Sequence, residues 1–120
     1  MNELIKIPKS VLFVLNQVFE IENKLQSISE SNSIQRNIDK IKDYFEYEAM
    51  EDNAGLSYHN PFGEAYNETR TDLEASIAGN STENLFITEV IKPIIRYRKG
   101  GMNAIAQKGV VIVETKNTNS

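Results

Sequence analysis

The chain predicts an α+β fold, a helical hairpin followed by a small, mainly antiparallel β domain, and three observations lead there. Up to about residue 49 apolar residues recur every three or four positions, the period of a helix with one buried stripe. Beyond Gly55, glycines, prolines and asparagines cut the chain into short apolar runs with the character of strands. At 120 residues one core is the usual solution, and a second independent catalytic domain has no room.

The first stripe consists of Val11, Val14, Val18, Ile21, Leu25 and Ile28, and Leu12, Leu15 and Phe19 widen it. A two-stranded coiled coil needs only a narrow seam, so a stripe this broad predicts bundle packing. Ser29, Ser31, Asn32 and Ser33 form a polar break. Asn32, followed three residues later by Gln35, predicts a reciprocal cap at the start of a second helix. That helix carries Ile34, Ile38, Ile41, Phe45 and Ala49 and ends before Asn53 and Gly55.

Two helices cannot cover both stripes by themselves. Either a β module or a second copy of the hairpin must complete the core, and the expectation is a homodimer with a four-helix bundle over residues 1–54. Its dimerisation residues are then Val11, Val14, Leu15, Val18, Ile21, Leu25, Ile34, Ile38, Ile41 and Phe45.

Residues 55–114 form the expected β domain, with strands over Leu73–Ala78, Leu85–Ile91 and Val110–Val113. Leu85, Ile87 and Ile91 alternate with polar neighbours, as on a half-buried strand. Val110–Val113 is apolar on both faces and is predicted to be the most buried. Gly100-Gly101 reads as a hairpin turn, and 115–120 as a disordered polar tail.

The chain contains no cysteine, which removes disulfides, thiolate nucleophiles and cysteine-bound metals and points to a reducing cytoplasm. The apolar stretch Val11–Val18 is too short and too polar to span a membrane. His59 is the sole histidine, placed in a turn with no nucleophile pattern around it, and reads as a solvated side chain. Glu46, Glu48, Glu51 and Asp52 crowd the end of the second helix without the spacing of a calcium loop. No enzyme activity, metal or cofactor is implied.

Net charge is -4, and residues 1–52 carry ten acids against six bases, so the helical part holds the negative charge. The opposite sign gathers in Lys92, Arg96, Arg98, Lys99 and Lys108, with Tyr97 among them and no acid between. Such a hairpin serves an acidic protein surface or a nucleic acid, or merely keeps an edge strand soluble. The overall acidity argues against nucleic acid, because phosphate binding depends on counterion release.

Read in order from about Ser10 to Glu114, the chain resembles the GrpE nucleotide exchange factors of seventy-kilodalton heat-shock chaperones. Leu12-Phe13-Val14-Leu15-Asn16-Gln17-Val18 is similar to that family's first bundle helix, and Ile38 through Gly55-Leu56 to its second helix, which ends in a glycine. Ile105 to Val113 resembles its closing strand, with Gln107-Lys108 in place of arginine-proline, and Pro93 to Tyr97 resembles the segment before it.

The resemblance implies a cytoplasmic homodimeric co-chaperone that binds the chaperone's nucleotide-binding domain, favours an opened cleft and speeds ADP release. It implies partner contacts at Gly55, Ile95, Asn103 and Gln107, to which charge alone adds Arg96, Arg98 and Lys99. Gly55 equally suits a plain helix C-cap, and Ile95 core packing. The alternative functions are a dimeric protein-binding scaffold of the same fold and, third, nucleic-acid binding through the basic hairpin.

Overall fold

A computed structural model describes residues 6–28 and 33–116. Helices α1 (Lys9–Leu25) and α2 (Ile34–Tyr47) come first. Seven strands follow: β1 (Ala54–His59), β2 (Ala65–Tyr66), β3 (Leu73–Ile77), β4 (Leu85–Lys92), β5 (Ile94–Lys99), β6 (Met102–Gln107) and β7 (Gly109–Thr115). The class is α+β, with two helices and two sheets.

The strands form one sheet of order β1-β5-β6 and another of order β2-β4-β7-β3. All pairings are antiparallel except β3 with β7. The chain passes between sheets three times, once over residues 60–64 between β1 and β2 and twice at single-residue crossings, Pro93 and Lys108. Both single-residue crossings are tight: Pro93 is fully buried, and a Cβ on Gly109 would lie 2.9 Å from both Ile94 Cγ1 and Leu73 Cδ2. Proline suits the first of these two corners because it removes a donor where the β4 ladder ends.

The three-stranded sheet is the middle layer, with an apolar cluster on each face. On one side Ile94 and Ile105 join Leu73, Leu85, Ile87, Val111 and Val113 of the four-stranded sheet. On the other, Leu56 and Ile95 pack with Leu15 of α1, flanked by Val11, Leu12, Phe45 and Tyr58. A fully buried Leu or Ile contributes about 1.5–3 kcal/mol, so each cluster is a substantial source of stability.

The strands expected at 73–78, 85–91 and 110–113 are β3, β4 and β7, and Gly100-Gly101 is the β5–β6 turn. Two local expectations change. Ile91 does not share the burial of Leu85 and Ile87, because register breaks at Ile87/Glu89 and Val90/Lys92 shift the alternation and leave it half exposed. Ala49 lies past the end of α2. The cap expected between Asn32 and Gln35 depends on Asn32; among the described residues Gln35 Nε2 donates to Glu22 and to Asp39, both at 3.0 Å. Asn32 and residues 117–120 of the expected tail lie outside the described residues, and Thr115 belongs to β7.

Between α2 and β1 the chain turns through Asp52 and Asn53, both at positive φ (60° and 59°), a conformation that short polar side chains tolerate. This reversal brings Gly55 so close to the end of α2 that a Cβ there would lie 2.0 Å from the Glu46 carbonyl oxygen. Only glycine fits.

Candidate interaction surfaces

The residues expected at a partner surface are divided by the fold. Ile95 is fully buried against Leu15 and Leu56, so its role here is core packing rather than contact. Gln107 is half-buried and engaged within the chain: its Nε2 donates to Asn16 Oδ1 (3.0 Å) and to the Pro93 carbonyl (2.9 Å), while its Oε1 accepts from Asn16 Nδ2 (2.9 Å). One side chain thereby ties α1 to the two single-residue crossings between the sheets. Asn103 is exposed on the edge strand β6, opposite Arg98.

The basic residues are largely satisfied within the chain. Arg96 donates to Asp72 Oδ2 (3.0 Å), Arg98 to the Glu46 carbonyl (3.1 Å), and Lys99 lies 3.8 Å from Asp52. The basic hairpin is therefore not a free cationic stripe, which weakens the electrostatic case for nucleic acid. Pairing with acids distant in sequence is invisible to a local count of charge.

Arg96 ends a longer chain of charges. His59 Nε2 lies 2.5 Å from Glu64 Oε2, Glu64 Oε1 accepts from Arg70 (3.0 Å), and Arg70 grips Asp72 through Nε and NH2 (3.1 and 3.0 Å). Burial pushes the Glu64 and Asp72 carboxyls up, yet His59 and Arg70 hold Glu64, and Arg70 with Arg96 hold Asp72, below their ordinary values. His59 is thus paired rather than simply solvated.

A second polar node joins the helices to the sheet. The Glu22 carboxylate accepts from the Tyr58 hydroxyl (2.6 Å), Gln35 (3.0 Å) and Lys42 (3.2 Å). Burial opposes its charge, but these donors outweigh burial and hold it low. Burial and the adjacent Glu22 raise Tyr58. The Phe19 and Tyr58 rings meet edge to face at 5.8 Å, and Lys42 lies over the Tyr58 ring.

The residues expected at a dimer contact also divide. Leu15, Val18 and Ile38 are buried within the chain, and Val11, Leu25 and Phe45 are half-buried. Val14 (43% exposed) and Ile21 (48%), about two turns apart, leave an uncovered apolar strip on α1. Ile34 (49%), Ile41 (39%) and Tyr44 (52%) leave another on α2. The β domain covers one flank of the hairpin and leaves these strips to water.

A third surface escaped the sequence reading. Pro61 to Glu64 form a turn, closed by Glu64 N–H on the Pro61 carbonyl (3.1 Å) with Gly63 at φ 83°. It docks on β4 through Gly63 N–H to Ile87 O and Ile87 N–H to Glu64 O, both 2.9 Å. Beside it a cleft of about 450 Å³ runs between Asn23 of α1 and Gln26 just past its end, Asn60 and Phe62 at the turn, and Thr88 to Val90 of β4.

No helix among the described residues is long and apolar enough to cross a membrane. Comparison of the chain with protein-family models, with curated proteins and with solved structures finds no match.

Proposed function

We propose that the protein is a homodimeric protein-binding module of the GrpE kind, acting by binding rather than by chemistry. The uncovered strips on α1 and α2 carry this reading. Five large apolar side chains lie on two helices whose other flanks are already packed, and pairing with a second hairpin in a four-helix bundle removes them from water.

The helix–helix–β order and the close junction at Gly55 support the co-chaperone form of this reading, in which the β domain engages the nucleotide-binding domain of a seventy-kilodalton chaperone and promotes ADP release. With Ile95 buried and Gln107 engaged, the contact falls to Arg96, Arg98, Lys99 and Asn103 at the β5–β6 hairpin. The test is release of a fluorescent ADP analogue from such chaperones. Acceleration that an Asn103→Glu/Lys99→Glu variant loses, while remaining folded, is the expected result. No acceleration and no chaperone binding leave the dimeric scaffold as the function.

A further inference from the structure

β4 spans eight residues, but its neighbour β2 spans two and pairs only with Leu85 and Phe86. The Pro61–Glu64 turn extends that cover to Ile87 and then leaves. From Thr88 to Lys92 the strand has β7 on one side; on the other, no backbone of the described residues bonds to it. The cleft lies along this open stretch.

Its walls suit one kind of occupant. Asn23, Gln26 and Asn60 are exposed amides, each offering the donor and acceptor that a peptide backbone also offers. Phe62 is 64% exposed, and its backbone is anchored: Pro61 before it is fully buried, and the Asn60 Oδ1 accepts the Phe62 N–H at 3.1 Å. An exposed aromatic ring on an anchored turn, beside a strand edge with no described partner, is an anchor for an apolar side chain. Glu89 is the only charged residue among the described residues that line the cleft.

We infer that this cleft binds an extended peptide, which adds as a strand along Thr88–Lys92, seats an apolar side chain against Phe62 and Val90, and places a basic side chain at Glu89. Main-chain hydrogen bonds supply affinity in such strand addition, and the side-chain seats supply selectivity. Helix α1 walls the slot, which admits a single strand in preference to the layered edge of a second folded copy. The surface is separate from the β5–β6 hairpin and from the apolar strips, so its failure leaves the proposed function standing.

The test is a ¹⁵N NMR titration of the full chain with the synthetic peptide acetyl-Lys-Ile-Lys-Val-Lys-Ile-amide, and with the same peptide N-methylated at alternate residues. Saturable shifts are expected at the backbone amides of Thr88 to Ile91 and at the side-chain amides of Asn23, Gln26 and Asn60. N-methylation and Phe62→Ala should each weaken binding about tenfold or more. Glu89→Lys should reverse the preference between this peptide and its glutamate counterpart. Equal binding of the N-methylated peptide, shifts confined to other surfaces, or no saturable shifts at millimolar peptide would overturn the inference. So would shifts at Thr88 to Ile91 that depend on protein concentration alone, which assign the edge to a second copy.

Discussion

Asn16 on α1 and Gln107 at the end of β6 exchange two amide hydrogen bonds, 2.9 and 3.0 Å long, across 91 positions of sequence. Gln107 also donates to Pro93 O, so one side chain fixes the helix against the two single-residue passages between the sheets. Replacing either partner strands the other's polar groups in a half-buried site.

Asn16→Ala and Gln107→Ala should each therefore cost about 1–2 kcal/mol. In a double-mutant cycle followed by urea denaturation the two should couple by about 1 kcal/mol. Additive losses would mean that the pair does not act as a staple.

Gly55 and Gly101 make a matched comparison. A Cβ at Gly55 meets the Glu46 carbonyl oxygen at 2.0 Å, a backbone atom that cannot step aside, whereas nothing lies within 4 Å of a Cβ at Gly101. Gly55→Ala should destabilise the protein by about 1–3 kcal/mol. Gly101→Ala should stay within about 0.5 kcal/mol of the parent. Equal denaturation midpoints for the two variants would show that the helix–strand junction relaxes.

Much of this architecture is legible in the sequence because it rests on local period and local punctuation. The three-four spacing of Val11, Val14, Val18, Ile21 and Leu25 marks α1, and Gly100-Gly101 marks the β5–β6 turn. What covers each stripe depends on contacts far apart in the chain. Leu15, Val18 and Ile38 carry the same pattern as Val14, Ile21 and Ile41, yet the first three are buried within the chain and the others remain exposed. The basic run from Arg96 to Lys99 looked free for a similar reason, since Asp72, Glu46 and Asp52 come to it only through the fold. The cleft beside β4 has no local signal beyond the turn residues Asn60-Pro61 and Gly63, because it arises where β2 stops.

Acid should loosen the protein through its paired carboxylates. Glu22 and Glu64 are held below their ordinary value of 4.5, and Asp72 below 3.8. A depressed folded value means that the unfolded chain binds protons more readily, so the stabilisation is complete above the ordinary values and is lost as pH falls through the folded ones. Urea midpoints should hold steady from neutrality to about pH 5 and then decline. A Glu22→Gln variant, with one such carboxylate removed, should be less stable at neutrality and decline less steeply. An identical acid profile for parent and variant would exclude Glu22 as a contributor.

The most direct test of the account is the solution mass by sedimentation equilibrium, measured for the parent and for an Ile21→Glu/Ile41→Glu variant. Both side chains are partly exposed in the single chain (48% and 39%) and belong to neither buried cluster, so the substitutions spare its core. The account predicts twice the 13.6 kDa chain mass for the parent and the single-chain mass for the folded variant. A parent that stays at the single-chain mass at every concentration, or a variant that still pairs, would contradict it.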